Sequence, residues 1–320
     1  MVSAELTSVE ICTGAGGQAL GLEQAGFVHE ALVEIEHPAC QTLRLNRPGW
    51  NVLERDLLSW SGEDYKGVDL LAGGVPCPPF SKAGKQLGEE DERNLFPKAI
   101  DLVDEIRPKA VMFENVRGLL DSVFDSYRSD VEAQLRKLGY SGSWRLLNAS
   151  NYGVSQLRPR VIFTALRNDY ADNFVWPIPS EVKPLTVGEL LYDLMAADGW
   201  EGASAWARGA NAIAPTLVGG SKKHGGPDLG PTRARAAWAA LGVNGKSLAD
   251  EAPQPGFEGM PRLTVRMAAR IQGFPDDWAL FGRKTAAYRQ VGNAFPPPVA
   301  AAVGQRISDA LATRRLFAVA

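Results

Sequence analysis

The chain has 320 residues, enough for one large domain with a smaller one attached, or for two of ordinary size. Hydrophobic residues make up 45% and charged residues 22%, the balance of a globular protein, and a net charge of −3 excludes a protein basic throughout while leaving room for a local basic patch. No apolar run reaches the roughly 18 residues of a membrane span, and the opening MVSAELTSVE lacks the basic start and apolar run of a signal peptide, so a cytoplasmic protein without a membrane partner is expected.

In the first half, short apolar runs alternate with helical patterns. SVEICTG reads as a strand and QALGLEQAGF as the helix after it. EALVEIE is a second strand, followed by the helix PACQTLRLNR. VDLLAGG, the helix LFPKAIDLVDEIRP and the strand KAVMFENV continue the series, then the helix VEAQLRKLGY and the strand RPRVIFTAL. Such alternation predicts an α/β fold: a Rossmann-like parallel sheet with helices on both faces. The pattern breaks after Arg167. From there to about Pro261 the chain is rich in Gly, Pro, Ala and Trp, and reads as a small irregular domain. Order returns with RLTVRMAARIQGF and a closing helix, PPPVAAAVGQRISDALATRRL, whose prolines suit a helix start.

Cys12, Cys40 and Cys77 are odd in number and have no CxxC spacing, and His29, His37 and His224 form no HxxxH pair, so neither a disulfide framework nor a metal site is expected. Gly14, Gly16 and Ala19 satisfy G-x-G-x-x-A between a strand and a helix. Glu34 follows at the end of the second strand. Glycines there let backbone approach a ligand and the acid takes ribose hydroxyls, which fits either a dinucleotide or S-adenosylmethionine. Asp56 is placed to add a contact to an adenine amino group.

The stretch 73-GGVPCPPFSKAGKQ-86 follows the third strand at its C-terminal end, the edge where ligands collect in open α/β sheets. Prolines 76, 78 and 79 restrict the backbone and pre-position the Cys77 thiol. A thiolate nucleophile needs a partner, and no histidine is placed to serve. Instead the sequence offers Glu114 in MFENVRGL and Arg158 and Arg160 in QLRPR, all at strand boundaries of the same sheet.

With these residues in hand, the chain resembles the C5-cytosine-specific DNA methyltransferases of bacterial restriction-modification systems. The blocks EICTGAGG, EIE, PCPPFS with GKQ, FENV, SNYGVSQLRPR, RLTVRMAARIQGFPDDW and YRQVGNAFPPPV occur in the family's order and span nearly the whole chain outside the irregular middle. The resemblance implies that Cys77 adds to C6 of cytosine, that Glu114 contacts N3 and the exocyclic amine, and that Arg160, with Arg158, holds the base oxygen. It implies S-adenosylmethionine as cofactor, S-adenosylhomocysteine as product, and Cys12, Gly14, Ala15, Gly16, Gly17, Glu34, Ile35, Asp56, Leu57, Pro76, Leu95 and Asn293 around it. Pro76 and Asn115 resemble supports of the catalytic loop. Base flipping follows, because the chemistry needs the base out of the stack.

The family's variable region would lie at about 168–261, within a target-recognition domain of 168–278 inserted into a catalytic domain of 1–167 and 279–320. Its segment 207–235 carries Arg208, Lys222, Lys223, Arg233 and Arg235 against one acid, Asp228. Such residues suit phosphates and guanine edges. The resemblance implies double-stranded DNA as partner, met by Ser81, Lys85, Gln86, Thr216, Leu217, Gly219, Gly220, Lys222, Lys223 and Arg233. It also implies a monomer and a cognate restriction endonuclease encoded separately. Cys12 stands where an aromatic often stacks on the adenine, Glu10 where Asp is usual, Pro78 where Gln is frequent and Met267 where Glu is frequent. The segment 91-DERNLF-96 is one residue shorter than in many relatives. An RNA cytosine methyltransferase of the same fold, a Rossmann oxidoreductase and an inactive DNA-binding regulator are the alternatives. The oxidoreductase leaves PCPPFS, FENV and QLRPR unexplained, and the intact Cys77, Glu114 and Arg160 argue against the regulator.

Overall fold

The computed structural model describes residues 5–76, 94–220 and 226–317, with side chains up to 313. Cys77, Ser81, Lys85, Gln86, Lys222 and Lys223 lie outside the described residues. Seven strands form one sheet: β1 (Leu6–Ile11), β2 (Phe27–Glu34), β3 (Val52–Glu54), β4 (Leu70–Gly73), β5 (Ala110–Val116), β6 (Tyr140–Asn148) and β7 (Pro159–Arg167), in the order β3-β2-β1-β4-β5-β7-β6. The order reverses at β1 and β4, and ligands in open α/β sheets collect at such a switch point. The first five strands are parallel. Val9, Ile11, Leu70, Leu71 and Ala72 are sealed on both faces, as central parallel strands require.

The expectation of an all-parallel sheet is corrected at one edge. β7 runs antiparallel to both β5 and β6. The sequence hides this because β6 is an edge strand, largely exposed, whose residues YSGSWRLLN show no apolar face.

Helices α1 (Gly17–Gln24), α2 (His37–Asn46), α3 (Phe96–Ile106) and α4 (Asp125–Lys137) connect the strands, and a short α5 (Asn168–Ala171) follows β7. On α3, Phe96, Ala99, Ile100, Val103 and Ile106 recur at helical spacing and are buried against the sheet. The middle region holds α6 (Val187–Ala196), α7 (Ala203–Gly209) and α8 (Thr232–Ala239), and the chain closes with α9 (Val265–Gln272), α10 (Lys284–Asn293) and α11 (Pro297–Phe317). Thr186 caps α6 in a capping box with Glu189. The middle is thus irregular but not core-less: Trp206, Trp238, Leu263, Trp278, Tyr288 and Val291 share one buried cluster with Ala15 and Leu20 of the glycine-loop region.

The block YRQVGNAF forms the end of α10, where Ala294 leaves helical geometry. α11 returns to the sheet, and Phe295, Val299, Val303 and Ile307 bury against Leu22, Phe27 and Leu70. That return brings Asn293 back beside the first glycine loop. Among the described residues no helix is long and apolar enough to cross a membrane.

Candidate active site

At the C-terminal edge of β1 and β4 the chain leaves a cavity of about 410 Å³. Its lining joins three segments far apart in sequence: Glu10, Cys12, Gly14, Ala15 and Gln18 from the first turn, Glu34 from β2, and Arg289, Asn293 and Phe295 from the end of α10. Gly74 and Glu114 line it on the side of β4 and β5. One cavity therefore connects the ribose-type acid with the acid of FENV.

The glycines divide by role. Gly14 has φ +58, a left-handed conformation that favours glycine, and the space where a side chain would project is open. Its N–H donates to Glu34 Oε2 at 2.7 Å, and Glu36 N–H donates to Oε1 at 2.7 Å. The Glu34 carboxylate is thus fixed by backbone from both ends. Burial raises its pKa, and these N–H groups act in the opposite direction. Gly16 and Gly17, expected beside a cofactor, are outside the lining. A Cβ on Gly16 would meet Leu43 at 2.6 Å, and one on Gly17 would meet the Phe295 carbonyl at 2.1 Å. Packing requires glycine at Gly17, and at Gly16 the left-handed φ of +84 adds to it.

Ile35 projects to solvent, 59% exposed, and does not line the cavity. Asp56 is also outside the lining, and its carboxylate caps the following turn by accepting from Leu58 N–H at 3.0 Å. Leu57 is buried in the main core. Cys12 does line the cavity, held at φ 51. Burial first, then Glu34, Glu10 and Asp56, push its thiol far up, so it stays protonated and is no nucleophile.

The described residues that flank segment 77–93 are tied together and to β5. Leu95 N–H donates to the Pro76 carbonyl at 3.3 Å, and Asn115 Nδ2 donates to the Val75 carbonyl at 2.7 Å. Neither Pro76 nor Leu95 lines the cavity.

Arg160 and Glu114 meet across β7 and β5, with Arg160 Nε 2.7 Å from Glu114 Oε1. Burial raises the Glu114 pKa, while Arg160 and then Arg158 act to lower it. A buried acid whose proton affinity is raised by burial, set beside a cation, is the kind of group suited to meet a ring nitrogen.

Arg158 is placed differently, and its expected contact with the base is corrected. It is fully buried and does not line the cavity. Nη1 donates to the Leu217 carbonyl at 2.8 Å, and Nη2 donates to those of Gly292 at 2.8 Å and Ala294 at 3.0 Å. Gln156 joins the same network, accepting from Leu217 N–H at 2.9 Å and donating to Gln272 Oε1 at 2.7 Å. Arg158 is a positioning residue that fastens the middle region to the end of α10.

The expected DNA contacts are corrected in part by the same network. Leu217 is buried in the core around Trp238. A Cβ on Gly219 would lie 2.6 Å from Asn293 Oδ1, so its close approach is to protein. Gly220 lines the cavity and accepts from Asn293 Nδ2 at 3.2 Å. Thr216 Oγ1 donates to the Leu157 carbonyl. Arg233 is exposed on α8.

The sequence reading passed over Gln18 and Arg289 as cavity residues. Gln18 carried a signal, since a carboxamide in the apolar opening turn of a buried helix needs a reason. Arg289 carried none, because its place depends on where α10 ends.

The comparisons with known proteins agree with this geometry. The sequence model of the family described as C-5 cytosine-specific DNA methylase matches residues 6–309. The chain is 59% identical over 316 residues to the type II methyltransferase M.NgoMIV of Neisseria gonorrhoeae, covering 96% of this chain and 98% of that one. It is 58% identical over 312 residues to M.NaeI of Lentzea aerocolonigenes, covering 96% and 75%. Among solved structures, a DNMT2 mutant of Spodoptera frugiperda superposes with a TM-score of 0.61 at 20% identity, covering 98% of this chain and 99% of that one. The methyltransferase EhMeth of Entamoeba histolytica superposes with a TM-score of 0.68 at 14% identity, over 97% and 99%. The chain belongs to the C-5 cytosine-specific DNA methylase family and is a DNA cytosine-5 methyltransferase.

Proposed function

We propose that the chain methylates C5 of a flipped-out cytosine within one short duplex DNA sequence, using S-adenosylmethionine and a covalent bond between Cys77 and C6. The observation that carries this reading is the single cavity that runs from Glu34 to Glu114. The residues fit the cofactor: the open Gly14 backbone and the fixed Glu34 carboxylate suit a ribose, and Glu10 and Gln18 offer unpartnered polar atoms. When bound, the cofactor supplies an electrophilic methyl group.

The chain's own residues do the rest. Cys77 thiolate adds to C6 and turns C5 into an enamine carbon able to attack that methyl. Glu114 protonates or hydrogen-bonds N3, and Arg160 holds the base oxygen, so charge does not build up on the ring. Once C5 carries the methyl, the C5 proton passes to solvent water, the C6–S bond breaks to release Cys77 as thiolate, and the C5–C6 double bond of the aromatic ring is restored. Arg158 holds the framework of this site together without touching the base. The protein works as a cytoplasmic monomer on double-stranded DNA, with a separately encoded cognate endonuclease; the type II names of its relatives support the restriction-modification part of that setting.

The test is methylation of plasmid DNA by the purified protein with S-adenosylmethionine, read by bisulfite sequencing. Protected cytosines at one short repeated sequence are expected for wild type and none for Cys77→Ala. Methylation by the Cys77→Ala protein would overturn the covalent route.

A further inference from the structure

A second hollow opens beside the catalytic cavity. It holds about 310 Å³, and its lining includes Val218 and Gly220, Asp228 and Gly230, and Arg235 on α8. Gly220 lines the catalytic cavity as well, so the two hollows share a wall. Asn293 Nδ2 holds that wall through the Gly220 carbonyl. The second hollow contains an acid and a guanidinium, yet among the described residues no ion pair joins them. Asp228 Oδ1 accepts from Gly230 N–H at 2.8 Å. Its Oδ2 stands 3.5 Å from where a Cβ on Gly226 would be, and the glycine leaves that side open. Arg235 is half-buried, and its Cγ lies 3.2 Å from where a Cβ on Gly245 would be, so its stem is packed. Among the described residues its guanidinium donates only to Thr232 Oγ1, from Nη2 at 3.4 Å, which leaves most of its five N–H donors unused.

The acid narrows the choice of ligand. Segment 207–235 sets five lysines and arginines against Asp228 alone. A carboxylate repels phosphates, so on a DNA-facing surface it weakens binding unless it meets a donor. Base edges supply one. In the major groove cytosine N4 is a donor, and guanine O6 and N7 are the acceptor pair that an arginine fork fits. A single G·C pair presents both on one edge. We propose that Asp228 and Arg235 read one G·C base pair of the target, Asp228 accepting from cytosine N4 and Arg235 donating to guanine O6 and N7. This rests on the reading of one short duplex sequence above and names the residues that choose one of its base pairs. The shared Gly220 wall places that base pair close to the cytosine that leaves the stack.

Two conservative variants separate base reading from other roles. Asp228→Asn keeps an acceptor for Gly230 N–H and turns the second oxygen into a donor. Arg235→Lys keeps the charge and loses the fork. Wild type and both variants, as full chains with S-adenosylmethionine, are given a plasmid library that holds every single-base change of the sequence wild type methylates. Methylation is read by bisulfite sequencing, and S-adenosylhomocysteine binding by calorimetry. Wild type is expected to demand G·C at one position. Each variant is expected to lose about tenfold or more of the discrimination at that position, to keep it elsewhere, and to bind S-adenosylhomocysteine as wild type does. Wild-type discrimination in either variant would overturn the pair and leave the sequence-specific reading intact. A uniform loss of methylation across the library would mean a phosphate contact or a support of the fold, and would overturn it too. Wild type that methylates cytosines without regard to sequence would overturn the sequence-specific reading and the pair with it.

Discussion

Arg160 lies across from Val116, two residues along β5 from Glu114, and the pairing is antiparallel. Residues two apart on a strand share a face, so Arg160 is the diagonal neighbour of Glu114 on one side of the sheet. That geometry delivers the 2.7 Å contact between Nε and Oε1. The reversed β7 is therefore a condition of the site: it returns QLRPR to the end of FENV.

Glu114→Gln keeps the shape of the side chain and removes the proton. Turnover is expected to fall about 100-fold or more, the usual worth of a general acid, with S-adenosylhomocysteine affinity unchanged. The pH profile carries the sign. The Glu114 pKa is raised by burial, so the useful neutral form is present below that raised value and is lost as pH rises through it. Single-turnover methylation should fall on the alkaline side of the Glu114 titration in wild type. Glu114→Gln should lose that limb. An unchanged limb would assign the titration to another group.

Arg158→Met tests position against chemistry. The substitution keeps buried volume but leaves the carbonyls of Leu217, Gly292 and Ala294 short of a donor. A loss on the order of 3 kcal/mol in urea unfolding is expected. A protein of wild-type stability that cannot turn over would instead return Arg158 to the catalytic set.

Much of this was legible in sequence because it is local. Strands β1, β2, β4 and β5, their helices and the glycine turn each announce themselves within about ten residues through apolar runs and turn residues. Glu34 was legible too, since its distance from Gly14 is fixed by one strand-helix-strand unit. What failed is non-local. β6 is exposed and has no apolar face. The direction of β7 depends on that hidden partner. Arg158 and Arg160 are two residues apart, and only the packing of Leu217 and α10 decides that one is sealed and the other faces Glu114. Gly219 resembled a place for DNA to approach, and Asn293 fills that place.

Gly14 and Gly17 should respond to alanine in different ways. A Cβ on Gly17 would meet the Phe295 carbonyl at 2.1 Å, and backbone cannot step aside cheaply. Gly17→Ala should lose roughly 3 kcal/mol of stability through overpacking. Gly14→Ala meets nothing within 4 Å, so its cost is the left-handed φ of +58, about 1 kcal/mol. Gly14 lines the cavity, so a methyl group there should lower S-adenosylhomocysteine affinity with the fold intact. Thermal melting and calorimetry on the two variants separate packing from binding.

Glu10 makes the pH dependence of the free protein a test of burial. Its pKa stands well above the ordinary carboxyl value, mainly because burial disfavours the charged form, with Glu34 adding in the same direction. The folded protein then holds a proton that the unfolded chain releases near 4.5. With more protons bound in the native state, unfolding free energy falls as pH rises above that value, and continues to fall until the folded carboxyl itself ionises. Stability from Glu10 is thus complete under acid conditions and lost towards neutral pH. Glu10→Gln removes the titration and should flatten that part of the curve of unfolding free energy against pH. Glu114, raised in the same direction, keeps a residual slope in the single variant, and Glu10→Gln with Glu114→Gln should flatten it further. An identical slope in wild type and Glu10→Gln would show that Glu10 is ionised in the fold, held by a partner or by water reaching the cavity wall.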